Sequence, residues 1–382
     1  MNSKADPAGG FVQIVASAWY DASKGAGKHM GEILTCTWAP TVLSGPQLLG
    51  QGRRESKPLI PEASGDGLRT SMVDPVLRAE ELGIDYLLVA QRWWGTGAEI
   101  EGSSYDCLAM TAYYAALTQR IRLITAVHPG FFLPAPIAKW GASLDRLSGG
   151  RWAINVTTGW HEAEFGMYGA DLLEHDERYA RSREFIEVLR GAWSQEALNY
   201  AGRFYRVSNL RLEPRPLSRA LEVWQGGQSA VACEMASSHS DWMFLNGGPP
   251  QKIGAIISDV RARAARAGRR VRFALYSIPL CRETDAEAER DLAAMLDRVD
   301  REMIARRHAR TGGARGMWAS PHDRLTQLDT NEGFASRLIG SPETILSRIL
   351  QFHQLGVDCF HLTLHDQLFN REVLPRLRSA AA

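Results

Sequence analysis

From about residue 33 onward, short runs of β-branched and aromatic residues alternate with longer stretches whose apolar positions recur at helical spacing. Runs of the first kind predict strands at 33–38, 86–90, 122–127, 152–156, 222–225, 241–245, 271–279 and 358–364. Between them, "PAPIAKWGASLDRLSGG" sets Ile137, Trp140, Gly141 and Leu144 on one helical face and stops at Gly149-Gly150. "DERYARSREFIEVLRGAW" repeats the pattern with Phe185, Leu189 and Trp193. "SPETILSRILQFHQLGVD" starts as a helix should, with Ser341 at the N-cap, Pro342 in the first helical position and Glu343 in the first turn.

Strands that alternate with amphipathic helices predict a parallel sheet with helical crossovers. Eight such units close naturally into a (β/α)8 TIM barrel, and an open doubly wound sheet is the other arrangement they permit. No G-x-G-x-x-G follows the first strand, which counts against the dinucleotide-binding version of the open sheet. Three segments exceed ordinary connection length: 40–70, 196–220 and 312–340. Loops of that size are expected as lids or binding loops at the C-terminal face of the barrel. We therefore expect a single barrel domain over 33–382, preceded by an extension over 1–32 that is either a loosely held terminus or an arm across a subunit interface.

Composition narrows the partners. The 44 basic and 43 acidic side chains nearly cancel, so no global field draws the chain to nucleic acid or anionic lipid, and a small molecule or another copy of the chain is expected, as a homodimer or homotetramer. Five cysteines without a C-x-x-C pair fit neither a zinc site nor a secreted disulfide framework, and point to a reducing cytoplasm. The apolar run at 11–20 is short, contains Gln13 and Ser17 and follows no basic cluster, which suits neither a signal peptide nor a membrane span.

Candidate chemistry gathers at strand ends. "NVTTGW" closes the fourth strand, so Asn155, Thr157 and Thr158 fall at the mouth of a barrel; they either present a ligand platform or satisfy the turn's own backbone. The Asn155 amide offers a donor and an acceptor, which suits the alternating C=O and N–H edge of a flavin. "EHDERYARS" sets Arg178 and Tyr179 near a helix N-terminus, a place that favours an anion but also one where solvated charges are common. "VWQGGQSA" runs from a strand into Gly226-Gly227, where backbone comes close to a phosphate, with Ser229 opening the next helix. His365 is the favoured histidine because it ends the last strand, followed by His128 and His161. Trp38, Trp93 and Trp94 are expected as apolar pocket walls, and no metal site is expected because neither H-E-x-x-H nor H-x-H occurs.

Together, "ITAVHPGFFLPAPIAKWGASLDRLSGGRWAINVTTGWHEAEF", "LEHDERYARSREFIEVLRGAW", "FYRVSNLRLEPRPL", "VWQGGQSAVACEMASSHSDWMFLNG" and "NEGFASRLIGSPETI" resemble the bacterial-luciferase-like flavin monooxygenases, most of all the dimethylsulfone monooxygenase branch. The resemblance runs over roughly 33–378. It implies a (β/α)8 barrel that takes reduced FMN from a separate NAD(P)H flavin reductase and reacts it with O2. It also implies Asn155 and Thr158 against the flavin ring and Arg178, Tyr179, Gly227 and Ser229 at the phosphate. Gln91 and Arg92 correspond to a segment that faces the flavin, and Glu164 to a flavin-contacting acid of the related pyrimidine monooxygenases. Asn155, His128 and His365 are then the catalytic candidates, and Trp38, Trp93, Trp94, Asn246 and Asn331 the substrate pocket.

Departures from relatives refine the expectation. Alkanesulfonate monooxygenases, a sister branch, carry an Arg before the last βα unit, a His on strand 7 and Tyr-Pro-His after strand 8. Here these places read Asn331, Ile278 and His365-Asp366-Gln367, with Arg337 nearby. Burying a sulfonate without a cation is costly, so a neutral organosulfur or related substrate is expected. A deazaflavin-dependent hydride-transferring enzyme of the same superfamily is the second reading, and a non-catalytic flavin-binding protein the third.

Overall fold

The computed structural model describes residues 31–41, 66–93, 104–218, 220–299, 301–302, 324–329 and 332–379. Nearly all of the 1–32 extension, Trp94 and Asn331 lie outside the described residues. Eight parallel strands close into a barrel: β1 (Leu34–Trp38), β2 (Tyr86–Val89), β3 (Arg122–Val127), β4 (Trp152–Val156), β5 (Val223–Gly226), β6 (Trp242–Leu245), β7 (Arg272–Ser277) and β8 (Cys359–Leu362). Each sequence-predicted strand is present: β3 and β4 have the expected bounds, β5 is shifted by one residue, and the other five are shorter by one to three residues. Pairing of Leu34 with Cys359 joins β1 to β8 and leaves the barrel without an edge.

In a strand every second side chain faces inward, and the register sets those residues in layers. The floor holds Tyr86, Trp224 and Trp242, all buried. The two indoles stack at 4.2 Å between centroids, and Tyr86 meets Trp224 edge-on at 5.0 Å. Arg272 covers the outer face of Trp242 with its guanidinium 4.1 Å from the ring centre. Cys36, Leu88, Ile124, Ala153, Ala274 and Cys359 fill the layer above. An eight-stranded barrel has room for side chains only, so these layers make the interior a core and leave ligands the open C-terminal end.

Outside, helices α1 (Asp74–Glu81), α2 (Cys107–Leu117), α3 (Pro134–Leu147), α4 (Glu162–Met167), α5 (His175–Ser194), α6 (Ala230–His239), α7 (Pro250–Arg266), α8 (Asp285–Asp297) and α9 (Pro342–Leu355) follow the strands. Gly141 on α3 has a packing reason: a Cβ there would sit 2.1 Å from the Trp152 ring. Ser341 caps α9 through Thr344 N with Pro342 behind it, as the sequence predicts. Among the described residues no helix is long and apolar enough to cross a membrane.

Two of the long connections are more ordered than expected. Residues 196–220 contain an antiparallel hairpin, Leu198–Ala201 with Arg206–Leu210. Its turn is held by Glu184, whose carboxylate accepts from the amides of Arg203, Phe204 and Tyr205 at 2.8, 2.8 and 3.1 Å. Near the C-terminus, Gly333–Ser336 forms a 3-10 turn over β7, and Ile339–Gly340 pairs in parallel with Leu280–Cys281.

A similar carboxylate pins the entry to β3. Buried Glu80 accepts through one oxygen from Gln119 N, Arg120 N and Ile121 N at 2.9, 2.7 and 3.0 Å. Burial alone would raise its pKa, but the three amides with the charge of Arg120 outweigh it and hold the carboxyl below the usual range. Its contribution is therefore present above the unfolded value of about 4.3 and is lost as pH falls through the lower folded value. We expect Glu80→Gln to cost ~1–3 kcal/mol at pH 7, with the difference in Tm from the unmodified protein closing in acid; a difference that stays constant down to pH 3 would contradict this.

Candidate active site

The same alternation that fills the floor delivers polar residues to the mouth. Above Leu88 comes Arg92, above Ala126 comes His128, above Ala153 comes Asn155, above Cys359 comes His361, and above Phe244 comes Asn246. Gln91 is buried and its Oε1 accepts from His128 N at 2.8 Å. The turn after β4 is satisfied by Thr157, whose amide and hydroxyl both donate to Val127 O, at 3.0 and 3.2 Å. Asn155 is thus not consumed by its own turn. Among the described residues, four buried polar atoms on neighbouring elements have no hydrogen-bond partner: Gln91 Nε2, His128 Nδ1, Asn155 Oδ1 and Glu164 Oε2.

Glu164 is fully buried on α4. Its Oε1 accepts from Trp93 N at 2.7 Å, and its Oε2 lies 3.9 Å from His128 Nδ1. That spacing is not an ion pair, because the imidazole is neutral at physiological pH: burial, with the charge of Arg181, pushes the His128 pKa down to about 3. Burial also pushes the Glu164 carboxyl up to about 7, against the Trp93 amide and the positive charge of Arg92. Around neutral pH the carboxyl is divided between its two protonation states, so Oε2 can donate or accept.

A second corner forms where α5 meets the turn after β5. The hydroxyl of buried Tyr179 hydrogen-bonds with the side chains of Ser229 and Thr158. Gly227 takes φ +115°, and a Cβ there would lie 2.4 Å from Tyr179 Oη, so glycine is required twice over. Ser229 caps α6, its Oγ accepting from Ala232 N at 3.3 Å. Arg178 is buried in the first turn of α5 and donates from Nη1 to Leu173 O at 3.0 Å. Thr158, Tyr179, Gly227 and Ser229 therefore meet at one point, with Arg178 on the adjoining turn.

Across the mouth stands an aromatic wall. Trp38 lies 6.4 Å from Phe244, 6.1 Å from Tyr276 and 4.5 Å from His361. The Arg92 guanidinium lies 5.3 Å from the centre of the Trp38 ring, and burial lowers its pKa to about 10 despite neighbouring Tyr276, Asp329 and Glu164. Tyr276 Oη contacts Asp329 Oδ1 at 3.4 Å, and Asp329 Oδ2 accepts from Gly333 N at 2.9 Å, which ties the 3-10 turn to β7. Trp93 packs elsewhere, against Phe131, Phe132 and Tyr168. Asn246 is half-buried, and its main-chain carbonyl accepts from Gln228 Nε2 at 3.2 Å. His161 caps α4 through Glu164 N. His365 is exposed ahead of the next helix, whereas the histidine of β8 that lies inside the barrel is His361. Arg337 is paired with Glu289.

The profile of the luciferase-like monooxygenase family matches residues 60–359. The chain belongs to this family. It is 38% identical over 318 residues to the FMNH2-dependent dimethylsulfone monooxygenase of Pseudomonas fluorescens (strain Pf0-1), covering 80% of this chain and 86% of that relative. With the enzyme of the same description from Pseudomonas putida it shares 37% over 315 residues, covering 78% and 85%. DmoA from Hyphomicrobium sulfonivorans has the same fold, with a TM-score of 0.70 at 19% identity over 91% of this chain and 88% of that one.

Within this luciferase-like site, the residues that the sequence did not single out are Phe244, Tyr276 and His361. Each lies inside a strand rather than at its end, and counting inward parity back from Asn246, Ile278 and Thr363 would have found them.

The raised Glu164 pKa has a measurable sign. Because its folded value lies above the unfolded value of about 4.3, the stability it contributes is present below that value and lost as pH rises through about 7. Glu164→Gln keeps an acceptor for Trp93 N and cannot ionise. Thermal denaturation between pH 5 and 8 should show the unmodified protein losing stability relative to the variant; parallel curves would refute the assignment.

Proposed function

We propose that the protein is a reduced-FMN-dependent monooxygenase that oxidises a small, neutral organosulfur compound with O2, drawing reduced flavin from a separate NAD(P)H flavin reductase. The observation that carries the reading is the set of unpartnered atoms on Gln91, His128, Asn155 and Glu164, set beside the Thr158–Tyr179–Gly227–Ser229 corner. Buried polar atoms are expensive unless paired, and a heteroaromatic ring edged with alternating donors and acceptors would pair them. Glycine backbone, three hydroxyls and the start of α6, with Arg178 close by, are the donor set a phosphate needs. The identity of 37–38% with FMNH2-dependent enzymes favours FMN over a deazaflavin.

Bound reduced FMN supplies the electrons that activate O2. The chain's own residues do the rest. Asn155 and Gln91 orient the ring edge, and Tyr179, Ser229 and Arg178 anchor the phosphate. Glu164 Oε2, facing the neutral His128 Nδ1, can hold or release a proton at the flavin-side wall. Trp38, Phe244 and Tyr276 exclude water from the reacting centre.

A neutral substrate suits the charges present. Arg92 is the cation at the wall, and Asp329 and Glu164 offset it. Ile278 sits beside the site where sulfonate-oxidising relatives have a histidine, and Arg337 is engaged by Glu289. Five buried free cysteines agree with a reducing cytoplasm, and exposed Tyr113, Leu133 and Leu147 are apolar surface that a homodimer or homotetramer would cover. Closure of β1 on β8 supports one domain over 33–382.

With FMN and an unrelated flavin reductase, we expect dimethyl sulfone to be oxidised only in the presence of O2, with kcat/KM roughly a hundredfold above that for methanesulfonate, since a few kcal/mol of desolvation separates the two. Full activity without O2 would overturn the reaction class, and equal values would overturn the charge argument. Arg178→Ala should raise the Kd for reduced FMN by about tenfold or more and Ser229→Ala by less, on titration of the flavin spectrum. Asn155→Ala should slow the oxygen-dependent phase in stopped-flow more than it weakens flavin binding; a normal oxygen phase would return Asn155 to a structural role.

A further inference from the structure

We propose that His361 is a specificity-determining residue that recognises an oxygen atom of the substrate, an inference that rests on the functional reading above. His361 lies within β8 with no exposed surface, and among the described residues neither Nδ1 nor Nε2 has a hydrogen-bond partner on another residue. A neutral imidazole always carries one N–H and one acceptor nitrogen, and beyond a contact with its own main chain neither is engaged by another described residue. The ring is enclosed by Trp38 at 4.5 Å, Phe244 at 5.1 Å and Tyr276 at 5.1 Å. Leucine or phenylalanine would fill this place without the cost of burying an unpaired polar ring, so packing does not explain histidine here.

The neighbouring polar groups are otherwise engaged. The Tyr276 hydroxyl contacts Asp329 at 3.4 Å, and Arg92 is set over Trp38 with Asp329 and Glu164 as countercharges. A guest admitted beside this cluster would meet aromatic side chains and one neutral ring with a donor and an acceptor. That combination fits a small uncharged molecule whose alkyl groups lie on the aromatic rings and whose oxygen accepts from the imidazole. Sulfones and sulfoxides meet both conditions, whereas a thioether meets only the first. Burial keeps the ring neutral, with its pKa pushed down to about 3, so it donates as an imidazole and does not attract anions as a cation would.

The test compares dimethyl sulfone with dimethyl sulfide in the unmodified enzyme, His361→Phe and His361→Asn, beside the Kd for reduced FMN. The Phe variant should bind reduced FMN normally, raise KM for the sulfone by roughly tenfold or more, the worth of one lost hydrogen bond with its partner left unpaired, and bring the sulfone-to-sulfide ratio of kcat/KM toward one. The Asn variant, which keeps a donor, should retain much of that ratio. A Phe variant with unchanged sulfone KM and unchanged ratio would overturn the proposal. Should the Phe variant not fold, 15N NMR of the unmodified FMN-loaded protein decides: the His361 N–H should shift on addition of dimethyl sulfone and not of dimethyl sulfide, and no shift with the sulfone overturns the proposal. Loss of the functional reading would look different, as failure of the unmodified enzyme to bind reduced FMN or to need O2, whatever His361 does.

Discussion

Side-chain alternation in a closed parallel barrel is the constraint on which the rest of this structure depends. Once β1 pairs with β8, every second residue of eight strands must face a shared interior, and nothing can be moved outward without turning its neighbours inward. The stacked Trp224 and Trp242 with Tyr86 use up the floor. The residues that follow in the same parity, Arg92, His128, Asn155 and His361, are then carried to the opposite end whatever their polarity. The catalytic face is a consequence of filling the other one.

Polar satisfaction separates the structural groups of this protein from the functional ones. Thr157 meets the backbone needs of its turn, Glu80 and Glu184 each gather three amides, and Gln91 Oε1 holds His128 N. These groups are spent on the fold. Six of the buried side-chain atoms left unpaired among the described residues lie together at the mouth, on Gln91 Nε2, His128 Nδ1, Asn155 Oδ1, Glu164 Oε2 and the His361 ring, while others, such as Arg190 Nε, His353 Nε2 and Asn370 Oδ1, are scattered over the outer helices. A protein interior tolerates few such atoms, so their clustering at the open end of a barrel marks where a ligand supplies the missing bonds.

Much of this was legible in the chain. Strand positions could be read because each is a compact β-branched or aromatic run, and Ser229, Ser341 and Gly149 mark helix ends by residue type alone. The pairing of Tyr179 with Ser229 was anticipated through local motifs and family resemblance, whereas Thr158, expected beside Asn155 at the ring, joins that corner instead. The hairpin in 196–220 escaped because its strands are stabilised by Glu184 of a separate helix, a contact that no local pattern reveals. His361 escaped for a different reason: attention to strand ends favoured His365, although period-two counting along Cys359 and His361 places the latter inside. The burial that raises the proton affinity of Glu164, against the Trp93 amide and the charge of Arg92 from another loop, has no signature in "HEAEF".

On the reading proposed above, the unpaired atoms at the barrel mouth are the flavin's partners. A crystal structure with FMN bound tests it most directly. The account requires the pyrimidine edge of the ring on Asn155 and Gln91, the phosphate at Tyr179, Gly227 and Ser229, and the aromatic cage around His361 left free beside the ring for substrate. A flavin whose phosphate sits away from Ser229, or whose ring leaves Asn155 Oδ1 and Gln91 Nε2 unpaired, would contradict it.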